Sequence, residues 1–200
     1  GGPFVGMPVA NAGIGANVCA LDYLLGATPS IGTGTWSGTG VTFAPDANSP
    51  TAEATVTAAG PYTLTWTEDN GGCVNSQDII VQFSGVGYTD AVEQSTCGNS
   101  DGEIELTGNN GIAPYQYSID GGATFTNTTG NFTGLAAATY DVAVQDNLGC
   151  EVIGQVSVSN QGGPVIIDVA PITPSCNGGS DGSISIDATG ATAFSIDGGG

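Results

Sequence analysis

Lysine, arginine and histidine are absent from all 200 residues, whereas Asp and Glu occupy 19 positions. Each absence removes a class of chemistry. A Ser-His-Asp triad, a Cys-His pair, a Schiff-base lysine and a phosphate-cradling Walker lysine cannot be assembled. No Arg or Lys is present to hold a phosphate, and a net charge of −19 repels nucleic acid. No apolar run approaches the length of about 18 residues that a membrane-spanning helix needs. Helical patterning is also missing. The best stretch, Gly134-Leu-Ala-Ala-Ala-Thr-Tyr140, is barely one turn and runs into a strand pattern. The start, Gly1-Gly-Pro-Phe-Val5, reads as neither an initiator Met nor a signal peptide, and Ser195-Ile-Asp-Gly-Gly-Gly200 stops inside a repeat. The expectation is a piece of a longer polypeptide.

What is present is apolar and turn-rich. Hydrophobic residues make up 40% of the chain, which is enough for a packed core, and glycine occurs 34 times. Short runs of Val, Ile, Thr, Tyr and Phe are broken by Gly, Asn, Asp and Pro, the composition of an all-β protein. In Tyr62-Thr-Leu-Thr-Trp-Thr67 apolar residues alternate with threonine, so one face of a strand is buried. Thr51-Ala-Glu-Ala-Thr-Val-Thr57 alternates likewise. Turn signals every 8–12 residues, roughly, predict antiparallel sandwiches.

Five cysteines stand at 19, 73, 97, 150 and 176. The first two are 54 residues apart and the next two 53. Tyr62…Asp69-Asn-Gly-Gly-Cys73 and Tyr140…Asp146-Asn-Leu-Gly-Cys150 share a tyrosine, an alternating strand, an Asp-Asn-x-Gly turn and a cysteine. The matched spacing predicts the pairs Cys19–Cys73 and Cys97–Cys150, each closing its own domain. A second repeat relates Cys97-Gly-Asn-Ser-Asp-Gly-Glu-Ile-Glu-Leu106 to Cys176-Asn-Gly-Gly-Ser-Asp-Gly-Ser-Ile-Ser-Ile186, and Tyr117-Ser-Ile-Asp-Gly-Gly122 to Phe194-Ser-Ile-Asp-Gly-Gly199. Cys176 would then find its partner outside these residues. The rival reading, a reactive thiol, lacks a histidine to activate it. Paired cysteines imply an oxidising, extracytoplasmic setting. The predicted domains are 5–84, 86–162 and 164–200, with the proline-bearing stretch 162–174 as a stiff, extended junction.

These motifs carry a resemblance. Pro8-Val-Ala-Asn-Ala-Gly13, Val18-Cys19, Gly34-Thr-Trp-Ser-Gly38 and Tyr62…Trp66…Cys73 resemble the PKD/Ig-like modules of Bacteroidota surface proteins. Cys97-Gly-Asn-Ser-Asp-Gly102, Pro114-Tyr-Gln-Tyr-Ser-Ile-Asp-Gly-Gly122, Gly134-Leu135…Thr139-Tyr140 and Asp146-Asn-Leu-Gly-Cys150 resemble the SprB repeat of gliding-motility adhesins. The stretch from Cys176 is similar to the first half of that repeat, with Ala191-Thr-Ala-Phe194 in place of Pro114-Tyr-Gln-Tyr117. The resemblance implies tandem Ig-like/PKD-like sandwiches in long proteins exported to the surface, often by type IX secretion. It implies adhesion or filament formation, and it transfers no catalytic residue.

Other candidate motifs have simpler structural roles. The run Ile31-Gly-Thr-Gly-Thr-Trp-Ser-Gly38 lacks the dinucleotide fingerprint, since position 37 is Ser. The turn carboxylates Asp69, Asp101, Asp120 and Asp146 are weak Ca²⁺ candidates, yet Asp-Gly and Asn-Gly are hairpin chemistry first. Asp101, Glu103 and Glu105 share one face of a predicted strand, either as a cation stripe or as glycosidase-type carboxylates. The corresponding residues of the next copy are Asp181, Ser183 and Ser185, which favours a solvated face over Ile104 and Leu106. Trp36, Trp66, Tyr115 and Tyr117 could stack on sugars, although Trp66 reads as core and Tyr62 and Tyr140 as turn-holding. Asn127 and Asn131 open glycosylation sequons, which arise readily by chance in Asn- and Thr-rich sequence.

The reading is therefore a non-enzymatic segment of an extracellular or cell-surface repeat protein, a surface adhesin or filament shaft. Its partners are neighbouring modules or copies of itself, and surface glycans are a further candidate. No cofactor is implied beyond weak Ca²⁺, no nucleic acid is bound and no part of the segment inserts into a membrane. The alternative is a carbohydrate-binding module or the accessory domains of a secreted polysaccharide-degrading enzyme.

Overall fold

The computed structural model describes residues 6–191 and 193–196, and within them every regular element is a strand. The chain divides into two compact units. One comprises Gly1–Ala91, Ile104–Phe132 and Thr139–Val156, the other Val92–Glu103, Thr133–Ala138 and Ser157–Gly200. The predicted lower bound at residue 5, and Asp197-Gly-Gly199 of the last repeat motif, lie outside the described residues.

The first unit opens with a seven-stranded sandwich. Its strands are β1 (Ala16–Val18), β2 (Asp22–Leu24), β3 (Thr33–Ser37), β4 (Val41–Ala44), β5 (Glu53–Val56), β6 (Gly60–Asn70) and β7 (Cys73–Phe83). They form sheets in the orders β1-β7-β6-β3 and β2-β5-β4, with β1 running parallel to the end of β7. This is the immunoglobulin arrangement of one C-F-G-like sheet facing one B-E-D-like sheet.

The alternation of β6 produces the core. Leu64 and Trp66 point inward while Thr63 and Thr65 point out, and Trp66 meets Trp36 of β3 with ring centroids 5.3 Å apart. Both tryptophans are buried, as are Ala54, Val56, Val81 and Phe83. Close packing leaves no room for a side chain at Gly34, where a Cβ would fall 1.9 Å from Trp66 Cζ2. Tyr62 stands near the start of β6 and donates its hydroxyl to the Ala58 carbonyl at 3.1 Å, the tyrosine corner typical of this fold.

The rest of the chain forms β8 (Gly87–Glu93), β9 (Ser95–Thr96), β10 (Gly102–Asn109), β11 (Gln116–Ser118), β12 (Asn131–Leu135), β13 (Ala138–Gln145), β14 (Glu151–Val158), β15 (Asn160–Gln161), β16 (Val165–Ile172) and β17 (Ser183–Thr189). They pair as β12-β10-β8, β11-β13-β14, β15-β9 and β16-β17. Ile104 and Leu106 of β10 are buried, as their alternation with Glu103 and Glu105 predicts, and so are Val142 and Val144 of β13.

Two expectations are corrected. Residues 165–172 are a strand rather than a linker, paired antiparallel with β17 from Val165↔Thr189 to Ile172↔Ser183. The β-branched run Val165-Ile-Ile-Asp-Val169 favours extended, paired backbone, and the flanking prolines mark its ends rather than its character. The second correction is to the disulfides. The structure bonds Cys19 to Cys150, with a Cα–Cα distance of 5.3 Å and a sequence separation of 131. Neither Cys19–Cys73 nor Cys97–Cys150 is formed, so the domains are not each closed by their own bridge.

The reason for the first failure is strand geometry. Cys19 follows β1, whose Val18 pairs with Phe83 at the end of β7, whereas Cys73 begins β7. Ten residues of strand, about 33 Å, separate Cys73 from that end, far beyond the roughly 7 Å that a disulfide tolerates. Cys73 is a half-buried thiol at the opposite end of the sandwich. Cys97 belongs to the second unit and donates its N–H to the Gln161 carbonyl at 3.0 Å. The sulfur predicted for it, that of Cys150, is held by Cys19.

Candidate functional site: a disulfide-tied module junction

The bridge lies where the sandwich hands over to the following segment, and all the residues described at this junction belong to the first unit. Cys19 is exposed and Cys150 buried. Beside Cys150 the turn Asp146–Cys150 is drawn tight by its own first residue. Asp146 Oδ1 accepts the N–H groups of Leu148 and Cys150, both at 2.9 Å. Its other oxygen reaches outward and accepts the Ser84 hydroxyl at 2.5 Å and the Ile112 N–H at 3.0 Å. One buried carboxylate thus ties the last residues of the sandwich, the 110–112 loop and the cysteine-bearing turn.

The linker between sandwich and repeat has no slack. Ser84 N–H donates to Val18 O, next to Cys19, and Gly85 N–H donates to Asn110 O, both at 2.9 Å. Asn147 N–H returns to Ile112 O at 2.8 Å. A Cβ on Gly85 would sit 2.9 Å from Leu21 Cγ, and one on Gly111 would meet Asp146 Cβ and Val86 Cβ at 3.1 Å. Glycine at these two points is what lets the chains approach so closely.

Burial pushes the Asp146 carboxyl up, but the hydrogen bonds from Ser84, Ile112, Cys150 and Leu148 outweigh it and leave the group below the usual carboxylate range. It is charged at neutral pH and satisfied by four donors, so it acts as an acceptor hub and not as a proton donor.

The other turn carboxylates fill their oxygens locally. Asp69 Oδ1 accepts Gly72 N–H at 2.7 Å. Asp101 accepts the Thr96 N–H at 2.7 Å and the Thr96 hydroxyl at 2.5 Å, which holds it below its ordinary value. Asp181 makes the matching bond to Ser175 N–H at 3.0 Å, so the repeat's aspartate caps the same loop in both copies. Asp120 accepts from the Ser118 hydroxyl and from both the N–H and hydroxyl of Thr124, and its carboxyl is lowered to about 2. Among the described residues no group of three or more acidic, Cys or His side chains is placed to hold a metal ion. Asp101 precedes β10, which begins at Gly102, so the three-carboxylate stripe shortens to Glu103 and Glu105.

Two features were not anticipated. Ser84 is the first. The other is Glu68, a fully buried carboxylate that accepts Trp66 Nε1–H at 3.0 Å, Ser30 N–H at 3.1 Å and the Ser30 hydroxyl at 2.5 Å. Burial raises its carboxyl, and the hydrogen bonds of Ser30 and Trp66 bring it below its ordinary value. The signal was in the sequence: Glu68 continues the inward series Leu64, Trp66. Of the aromatic sugar-stacking candidates, Trp36, Trp66 and Tyr117 are buried. The Tyr115 hydroxyl accepts Gly111 N–H at 3.0 Å.

Residues 89–124 and 172–194 match the SprB repeat family model. No curated protein matches the chain. Among solved structures, the chain is similar to the I67–I69 I-band fragment of titin at 14% identity, over 84% of this chain and 70% of that one, with a TM-score of 0.40. It is similar to a C-terminal fragment of intimin, solved with the intimin-binding domain of the translocated intimin receptor, at 13% identity over 84% and 67%, with a TM-score of 0.49. Against the N-terminal eight Ig domains of the Down syndrome cell adhesion molecule the identity is 12%, over 84% and 26%, with a TM-score of 0.45.

Proposed function

We infer that this chain, with its SprB repeats, is a structural segment of an extracellular or cell-surface repeat protein, working as a stalk, adhesin shaft or filament element. The observation that carries the reading is the Cys19–Cys150 bridge. A disulfide inside one domain stabilises that domain, whereas one reaching from an Ig-like sandwich to the following repeat fixes their junction. Force applied along the chain then meets a covalent link instead of a hinge. Asp146, Ser84 and Gly85 support the same reading, because they close the linker by hydrogen bonds and close approach. The bridge also requires an oxidising compartment.

No catalytic role is assigned. Among the described residues, the two buried carboxylates, Glu68 and Asp146, are committed to hydrogen bonds that hold them ionised. The absence of Lys and Arg leaves no cleavage site for trypsin-type proteases, which suits an exposed shaft.

Single-molecule stretching tests this reading. With the bridge closed, the residues between Cys19 and Cys150 stay inside a covalent loop. Reduction should therefore add a contour length of about 430–470 Å, from 131 residues at roughly 3.3–3.6 Å each. An oxidised chain that extends fully under load, with no gain on reduction, would refute the covalently tied junction.

A further inference from the structure

A hollow of 300 Å³ opens where β11 and β13 meet the 146–150 turn, and its lining residues all belong to the first unit. Strand alternation puts its side chains there. Tyr117↔Val144 is a buried pair, so the neighbouring pair Gln116↔Gln145 stands on the opposite, outer face with its two carboxamides side by side. Asn147 adds a third carboxamide from the turn, and Pro114 and Leu148 supply apolar surface. Gln116, Asn147 and Pro114 are exposed and Gln145 and Leu148 half-buried, so the hollow is open to solvent.

Its walls are fixed. Asp146 ties the turn through the Leu148 and Cys150 N–H groups, Gly149 N–H donates to Asp146 O at 3.0 Å, and Asn147 N–H is held by Ile112 O. The three carboxamides are not part of that framework. Elsewhere such groups hold backbone: Gln77 Oε1 accepts Ala12 N–H, and Asn127 Oδ1 accepts the N–H groups of Thr129 and Gly130. The side chains of Gln116, Gln145 and Asn147 make no hydrogen bond among the described residues. Nor does this kind of turn need Gln145 or Leu148. The sandwich's Asp69–Cys73 turn has Glu68 and Gly71 in their places, and it closes all the same through Gly72 N–H on Asp69.

The groups on offer select a ligand class. A carboxamide both donates and accepts, which matches hydroxyl groups that do the same. No cationic side chain exists to hold an anion. Asp146, the one acid on the lining, has its oxygens filled by Ser84, Ile112, Leu148 and Cys150, which leaves none for a metal ion. Pro114 and Leu148 give the C–H face of a sugar ring an apolar seat. The volume lies at the lower end of the range for small-ligand sites, about 300–1,000 Å³.

We propose that this hollow binds a neutral hexopyranose unit of a glycan, with Gln116, Gln145 and Asn147 bonding its hydroxyls and Pro114 and Leu148 against its apolar face. The proposal rests on the surface-protein reading only for where such glycans are met. It does not use the Cys19–Cys150 bond, so sugar binding and the contour-length gain on reduction can fail independently.

The test titrates the ¹⁵N-labelled 200-residue chain with the α- and β-methyl pyranosides of glucose, galactose and mannose, followed by NMR. The expected result is saturable shifts of the Gln116, Gln145 and Asn147 side-chain signals with at least one pyranoside. The dissociation constant should be about 1–10 mM, ordinary for so small a ligand. Gln116→Ala and Gln145→Ala should each weaken binding about 3–10-fold, and the double variant should abolish it with an unchanged thermal melt. No saturable shift with any of these sugars up to about 100 mM would overturn the proposal, as would shifts that survive the double substitution. The same signals moving with CaCl₂ alone would assign the hollow to a cation and overturn it too.

Discussion

Replacing both bridge cysteines, Cys19→Ser with Cys150→Ser, should cost more stability than any other exchange of exposed or junction residues in this chain. The separation of 131 residues corresponds to about 5 kcal/mol of loop-closure entropy in the unfolded state, and measured disulfide contributions run from roughly 2 to 5 kcal/mol. For a chain of this size, 1 kcal/mol moves Tm by about 2–4 °C, so a fall of roughly 5–20 °C is expected. The unfolded state should also expand, raising the denaturant m-value. Magnitude alone does not identify the partner, because a Cys19–Cys73 loop would be worth about 4 kcal/mol on the same model. Single replacements do identify it. Cys19→Ser and Cys150→Ser should be equally damaging, and Cys73→Ser should cost under about 1 kcal/mol. Urea titrations and thermal melts, with Cys97 and Cys176 replaced by Ser throughout to prevent exchange, provide the assay. Equal damage from Cys73→Ser and Cys19→Ser, with Cys150→Ser silent, would refute the geometric argument from β1 and β7.

Asp146→Ala leaves two turn N–H groups, the Ile112 N–H and the Ser84 hydroxyl without their acceptor. A loss of about 2–4 kcal/mol in a urea titration is expected, and a loss below about 0.5 kcal/mol would show that water replaces the carboxylate. Glu68 has a folded-state pKa below its ordinary value. Its stabilisation is therefore complete above the unfolded value of about 4.3 and is lost as pH falls through the lower folded value. Glu68→Gln should flatten the acid limb of a stability–pH curve, and an unchanged limb would contradict the assignment. The mutual repulsion of the carboxylates acts in the opposite sense, since a net charge of −19 destabilises the compact state. Tm should rise with NaCl and rise further with millimolar Ca²⁺; a Tm indifferent to both would show the charges to be too dispersed to matter, and a large Ca²⁺ effect at matched ionic strength would point to a dedicated site instead.

The strands were legible where apolar and threonine residues alternate, as in Tyr62–Thr67, because a half-buried strand demands that period. Ile104, Leu106 and Trp66 followed from the same rule. Glu68 obeyed it too, but a carboxylate beside Asp69 reads as solvated until Trp66 Nε1 and Ser30 are seen to meet it. The cysteine partners were not legible. Equal spacings reflected a repeated Asp-Asn-x-Gly-Cys turn, and pairing depends on which strand ends meet in space. Only the parallel register Val18↔Phe83 places Cys19 at the exit of the sandwich. Residues 165–172 misled for a related reason, since their partner β17 begins at Ser183, beyond a loop that sequence alone does not close.

The most direct test of the tied junction is peptide mapping of the non-reduced protein after Asp- and Glu-directed cleavage, which separates all five cysteines. The account predicts one disulfide-linked species joining the Cys19 peptide to the Cys150 peptide. Recovery of Cys19 linked to Cys73, together with Cys97 linked to Cys150, would contradict it and return each domain to its own bridge.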